Sequence, residues 1–385
     1  MAGFFILPIF TLMLTVIFIM FLVPASQKLG LVDKPSERKT HQGEIPNTGG
    51  LAMFLALAVS ALLFLNNLGP FIYLGGGVFV LVVVGLLDDH FDLSVKARFY
   101  TQIAAALIMA AAGDMALVNL GNLLGFGDIP VGIFSIPFTV FCAVGAINAL
   151  NMSDGMDGLA GSLTLVSFCA MAVLAHRAGL TPEFKIILLY ISILCGFLFF
   201  NARVFGRKSA KVFMGDAGSM FLGLSVAWFS VALTQGDKAA MRPVTALWVF
   251  ALPLLDTCSI MLKRLRLGES PFKADRNHLH HILNEAGFSV NQSLGIMVGF
   301  HAAFAVIGVM SEVLVVPEII MLALFISCYL SYYIAVFRTN KFHLFLGNIA
   351  RSNLAVMEIE KNNVSAITAP LKRTSNVEGA TSKAA

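Results

Sequence analysis

Charge is the first shortage in this 385-residue sequence: Asp, Glu, Lys and Arg make up only 12% of it, against 58% hydrophobic residues. Soluble domains carry about 25% charged residues. A soluble globular protein and a charge-rich disordered chain are therefore excluded, and the composition is that of a polytopic membrane protein. Cysteine is scarce too. The five, at 142, 169, 195, 258 and 328, lie in apolar stretches without a CxxC pair, which argues against a disulfide framework and for small buried apolar residues. The net charge of +4 comes from scattered loops rather than one basic block, so nucleic acid is not an expected partner. There is no Walker A sequence, and LGGGVF at 74–79 reads as helix packing rather than a phosphate loop. No internal repeat is found, so the paired halves common in transporters are absent. No charged residue precedes the first apolar run, which is too long for a signal peptide and reads as a retained first span.

What the sequence has is apolar runs. A span needs about 20 mostly apolar residues and must be helical, because lipid offers the backbone no hydrogen-bond partner. Eleven segments qualify: 3–24, 47–66, 71–88, 98–113, 132–149, 158–176, 184–201, 217–233, 244–262, 292–312 and 317–337. The expected fold is an all-α, integral membrane helical bundle of about 11 transmembrane helices. With the N-terminus outside, 22 of the 26 Lys and Arg fall on the inner side, leaving Arg177, Lys185, Lys238 and Arg242 outside. The positive-inside rule then puts the C-terminus in the cytoplasm. Residues 1–350 form the membrane domain, and 351–385 read as a polar, disordered cytoplasmic tail.

The acidic residues gather on the inner face. Asp88, Asp89 and Asp92 close the third span, Asp154 and Asp157 follow the fifth, and Asp216 precedes the eighth. Two adjacent carboxylates at a helix C-terminus oppose its dipole and each other, so Asp88 and Asp89 call for a cation or a function. The plain alternative is a solvated helix end with Lys96 and Arg98 as counter-charges. In Asn148-Ala-Leu-Asn151-Met-Ser-Asp154-Gly-Met-Asp157-Gly158, two Asp-Gly turns carry hard oxygen ligands suited to Mg²⁺; the alternative is an Asx-turn loop. Asp216, in KVFMGDAGS, either binds metal or caps the eighth span. The longest inner loop holds Lys263, Arg264 and Arg266, then His278, His280 and His281. Arginine suits phosphate, while anionic-lipid binding explains the basic residues but not the histidines. Zinc is discounted for want of nearby cysteine and of better-spaced ligands. Lys34, Arg38, Lys39 and His41, followed by Pro46-Asn-Thr-Gly-Gly, either bind phosphate or orient the first span. Asp256, inside an apolar span, is either functional or paired with a neighbour. His176, His301 and His343 stand alone and receive no role. The set as a whole suggests phosphoryl transfer between a soluble diphosphate and a membrane lipid.

Five stretches carry a resemblance: LVDKPSERKTHQGEIPNTGG, GLLDDHFDLSVKAR, NALNMSDGMDGLAG, KVFMGDAGSM and RLRLGESPFKADRNHLHHILNEAGF, spanning 31 to about 290. In this order they resemble the polyprenyl-phosphate N-acetylhexosamine-1-phosphate transferases, and most closely the bacterial branch that uses undecaprenyl phosphate and UDP-N-acetylglucosamine. The pattern His-Leu-His-His, instead of consecutive histidines, sets it apart from the peptidoglycan-precursor branch.

The resemblance implies an 11-span protein of the bacterial inner membrane with its active site on the cytoplasmic face. It implies a Mg²⁺- or Mn²⁺-dependent reaction in which UDP-N-acetylhexosamine and polyprenyl phosphate give polyprenyl-diphosphate-sugar and UMP, the first membrane step of O-antigen or a related cell-envelope polysaccharide. On matching positions, Asp88 and Asp89 are the catalytic acidic pair and Asn151 and Asp216 the metal ligands. Asp154, Asp157, Arg264, His278, His280 and His281, together with Lys96, meet the substrates. Homodimerisation is a further expectation. The competing readings are another UDP-N-acetylhexosamine donor, a transporter of an anionic substrate, and a non-catalytic scaffold.

Overall fold

The computed structural model describes residues 2–33, 43–65, 67–203, 206–272, 277–338 and 345–350. Lys34, Arg38, Lys39, His41, His343 and the tail expectation for 351–385 lie outside these residues. The described chain is built of helices: α1 (Ala2–Leu29), α2 (Gly49–Phe64), α3 (Phe71–Phe91), α4 (Val95–Leu107), α5 (Ser135–Ser153), α6 (Leu159–Arg177), α7 (Thr181–Asn201), α8 (Gly215–Ala232), α9 (Pro243–Val249), α10 (Ala251–Arg266), α11 (Leu279–Glu285), α12 (Val290–Val313) and α13 (Glu318–Arg338). The one strand pair, β1 (Val32–Asp33) with β2 (Ile45–Pro46), is antiparallel, with Val32 opposite Pro46.

Each of the eleven apolar segments contains helix, but not all are spans of the same kind. Among the described residues, seven helices are long and apolar enough to cross a membrane: α1, α3, α5 with its preceding turn, α6, α7, α12 and α13. The chain is a multi-pass, all-α membrane protein. Helix α2 has 16 residues, and α4 has 13 before a π-helical turn at Ile108–Ala112; at about 1.5 Å per residue neither fills a hydrocarbon layer of about 30 Å. Helix α8 is enclosed by protein along nearly its whole length. Ringed by α2, α3 and α5, it needs no lipid-compatible surface, which explains its Asp, Ser and Gly content.

The segment expected as one span over 244–262 is two helices, α9 and α10, bent by 84° at Phe250. The cause is Pro253. It has no N–H to offer the carbonyl of Val249, and its ring clashes with that carbonyl in a straight helix.

Close approach fixes the relation of α3 to α8. A Cβ on Gly85 would fall 2.3 Å from the Ala217 backbone, so only glycine lets the helices meet there. That contact lies one turn from Asp88 and Asp89 on one helix and next to Asp216 on the other. A second device seats the start of α8: Phe213 N donates to Pro46 O, and Gly49 and Gly50 donate to Phe213 and Met214 carbonyls. The Pro-Asn-Thr-Gly-Gly stretch thus docks on the Lys211–Asp216 segment.

Candidate active site

Three helix ends converge at one end of the bundle: the C-termini of α3 and α5 and the N-terminus of α8. Asp88 Oδ1 accepts from Leu93 N at 2.8 Å, and Oδ2 accepts from the Arg98 guanidinium at 3.0 Å. The same guanidinium nitrogen lies 3.8 Å from Asp216 Oδ2. Arg98 reaches this place because Asp92, in the left-handed region, ends α3 and Ser94 caps α4 two residues later. Asp89 Oδ1 accepts from Asn47 Nδ2 and Asp216 N, both at 3.3 Å. Its Oδ2 is buried with no hydrogen-bond partner. Asn151 Nδ2 donates to Asp216 Oδ1 at 2.6 Å and to Ser219 Oγ at 2.9 Å. Asp154 follows on the same turn. Burial first, then the charges of Asp216 and Asp157, push its carboxyl up to about 7.

The basic loop folds over this cluster through Asp256. Its Oδ2 lies 2.7 Å from His278 Nδ1, and Oδ1 accepts from Leu279 N at 3.2 Å and from the Tyr332 hydroxyl at 2.7 Å. The intramembrane carboxylate is therefore paired, and it anchors the histidine segment. His280 stacks on His278 with ring centroids 5.6 Å apart. A Cβ on Gly155 would come 2.5 Å from His280 Nε2, so this glycine lets the α5–α6 turn and the histidine segment touch. Burial, followed by neighbouring His281 and His278, holds the His280 imidazole down at about 3. It is neutral at physiological pH, and neither ring nitrogen has a hydrogen-bond partner. Arg264 is buried and donates to the Pro271 carbonyl.

Between these elements lies a cavity of about 360 Å³, polar on one side and walled on the other by Val95, Phe99, Met152, Met220 and Phe272. Arg98, Gln102, Asn148, Asn151, Arg264, His278 and His281 line it. Gln102 Oε1 accepts from Asn148 Nδ2 at 2.7 Å. Of the expected residues, Asn151, Arg264, His278 and His281 line the cavity, Asp88, Asp89, Asp154, Asp216 and His280 lie outside that lining, and two more are turned elsewhere. Lys96 is exposed on the first turn of α4. Asp157 Oδ2 accepts from Arg203 Nε at 2.7 Å and Ala210 N at 2.9 Å, bracing the segment that leads to α8. Conversely, the sequence motifs single out neither Gln102 nor Ser219 and cast Arg98 only as a counter-charge. Their signal was periodicity: Arg98 and Gln102 are four apart on α4, and Asp216 and Ser219 three apart on α8, so each pair shares a helix face.

Among the described residues, no three His, Cys, Asp or Glu side chains form a ready metal-binding group. Mg²⁺ needs none: it keeps waters and substrate phosphates and takes one or two protein oxygens. The unpartnered Asp89 Oδ2, and the gathering of Asp88, Asp89 and Asp154 about Asp216 with Arg98 shared by Asp88 and Asp216, fit such a cation.

The family described as glycosyl transferase family 4 matches residues 71–234, which carry all six of these inner-face aspartates. Relatives named undecaprenyl-phosphate α-N-acetylglucosaminyl 1-phosphate transferase match most of the chain, among them three from different genera. The Yersinia pestis protein is 41% identical over 306 residues, 79% of this chain and 84% of its own. The Escherichia coli K12 protein is 38% identical over 341 residues, 88% of this chain and 92% of its own. The Haemophilus influenzae protein is 38% identical over 317 residues, 82% and 88% respectively.

Proposed function

The chain belongs to the family of these sugar-phosphate transferases, and we infer that it transfers N-acetylglucosamine 1-phosphate from UDP-N-acetylglucosamine to undecaprenyl phosphate, releasing UMP. The observation that carries this reading is a junction of two cavities. Beside the polar one lies an apolar cavity of about 630 Å³ between α5, α8, α9 and α10, and Phe99, Asn148 and Phe272 line both. A lipid phosphate needs such a place: polyprenyl chain in the apolar part, phosphate at the junction, nucleotide-sugar in the polar part.

An oxygen of the lipid phosphate attacks the sugar-bearing phosphorus of the donor. The new P–O bond forms as the bond to UMP breaks, one anhydride replaces another, and the step is freely reversible. Both reactants are anions, so repulsion is the main barrier, and Arg98 and Arg264 face it directly. The phosphate oxygen is already ionised near pH 7, which favours direct attack over a covalent enzyme intermediate. Asp88 orients Arg98; Asp89, Asn151 and Asp216 form the oxygen-rich side that would hold Mg²⁺. That ion, when bound, supplies charge neutralisation on the diphosphate. The basic residues on this side support an active site at the cytoplasmic face of the bacterial inner membrane, with the N-terminus outside. Counting α9 and α10 as one and setting aside the seven-residue α11, eleven helical segments remain, an odd number that supports that topology.

The test uses purified protein, undecaprenyl phosphate, Mg²⁺ and a panel of UDP-sugars. UMP formation with UDP-N-acetylglucosamine, abolished by EDTA, is the expected result. UMP from a different UDP-N-acetylhexosamine would change the donor. UDP release would make it a transferase of the bare sugar, and no nucleotide release would return the transporter and scaffold readings.

A further inference from the structure

The apolar cavity owes its shape to the break between α9 and α10. Val244 and Leu247 line it from one limb, Leu254 and Met261 from the other, and Phe250 from the corner. A break inside the bundle strands backbone groups where lipid and side-chain carbon offer nothing. Pro253 leaves the Val249 carbonyl without its helical donor, and the bend parts Leu252 N from the Trp248 carbonyl. Two side chains from other helices take over both. Ser167 Oγ, on α6, donates to Val249 O at 2.8 Å. His301 Nδ1, on α12, receives Leu252 N at 3.5 Å. The two are also joined to each other, with His301 Nε2 3.0 Å from Ser167 Oγ. Because Leu252 N can only donate, His301 Nδ1 carries no proton and Nε2 does. His301 Nε2 then donates toward Ser167 Oγ, and the Ser167 hydroxyl donates to Val249 O at 2.8 Å, the nearer of its two carbonyls, with Leu163 O at 3.2 Å. Both side chains are fully buried.

We propose that Ser167 and His301 form a clamp that holds the α9–α10 break open and so positions the polyprenyl chain of the acceptor. They are positioning residues: neither lines the polar cavity, and they act on the lipid only through the two limbs of the break. Straightening the helix would carry Leu254 and Met261 away from the cavity wall. The proposal rests on the reading of the apolar cavity as the acceptor site.

The experiment compares wild type with His301→Phe, Ser167→Ala and Gly145→Phe, each first checked for a folded, monodisperse state. Steady-state kinetics use UDP-N-acetylglucosamine with undecaprenyl phosphate or with farnesyl phosphate. Gly145 lines the apolar cavity, and a Cβ there meets nothing within 4 Å, so it offers a point from which a Phe ring can be built to plug the cavity. The expected result is a rise of about tenfold in KM for undecaprenyl phosphate in His301→Phe, a smaller rise in Ser167→Ala, little change for farnesyl phosphate, and an unchanged KM for the nucleotide-sugar. Equal effects on both acceptors, or none, in the folded clamp variants would overturn the clamp. If His301→Phe does not fold, Ser167→Ala decides by the same criterion. If the Gly145→Phe plug leaves undecaprenyl phosphate kinetics unchanged, the acceptor reading fails, and the clamp with it. If the plug acts and the clamp variants do not, only the clamp fails.

Discussion

The two ends of the bundle treat charge in opposite ways. At the end away from the cavity, Arg242 donates from Nε to both oxygens of Glu312 and from its other nitrogens to the Ser311 and Val316 carbonyls, and Thr245 adds its hydroxyl to Glu312. Nearby, Gln235 accepts from Val118 N and Asn119 N and donates to Asn119 O, while Glu318 accepts from Asn122 N. Arg242 and Glu312 are matched there and tied to backbone, while one oxygen each of Glu318 and Glu183 is buried without a hydrogen-bond partner. At the other end, Asp88 and Asp216 share one arginine with Asp89 and Asp154 beside Asp216, the buried Asp89 Oδ2 has no partner, and a buried imidazole has none for either nitrogen. Matched charge makes a structural knot; unmatched charge, held in place by matched neighbours such as Asp256–His278, makes a site.

Removing charge at the unmatched end should abolish activity and spare the fold. Asp216→Ala is expected to lower kcat/KM by about a thousandfold, with a melting temperature near that of wild type; near-normal turnover would remove Asp216 from the site. The anchor is an intermediate case. Asp256→Asn should cost about tenfold to a hundredfold in kcat/KM by letting His278 and α11 shift, and an unchanged rate would show that the histidine segment holds itself. The matched end should respond in the reverse sense. Arg242→Ala is expected to lower stability by about 2 kcal/mol while changing the KM values less than twofold; a thermal or denaturant unfolding series on the purified protein reads it. The smallest effect concerns pH. Asp154 is poised near 7 by burial and by Asp216 and Asp157, and a nearby cation favours its ionised form. Raising Mg²⁺ should therefore move the acid limb of the kcat/KM profile to lower pH, and a limb that stays put would separate Asp154 from the cation.

Much of this site was legible in the chain. The Asp88–Asp89 pair, the Asn151–Asp157 turn, Asp216 and the histidine loop all stand out in the sequence, because each places costly polar groups at the edge of an apolar run. What each would touch was not legible. Asp157 and Asp154 differ little in sequence setting, yet the first braces Arg203 and Ala210 while the second stays with the carboxylates. Lys96 and Arg98 are two residues apart on α4; the 200° between them on a helix sends one to solvent and the other to Asp88. His301 looked idle because its partners are 134 and 49 residues away.

Hydropathy is additive along the chain, so the sequence by itself determined that this is a membrane bundle, where its helices run and at which end its acids lie. Partnership is not additive. The burial of α8, the turn of Asp256 toward His278, the 84° break and the Ser167–His301 pair that satisfies it arise only when distant segments meet. There, close packing and the cost of an unpaired polar group decide which neighbour each residue takes.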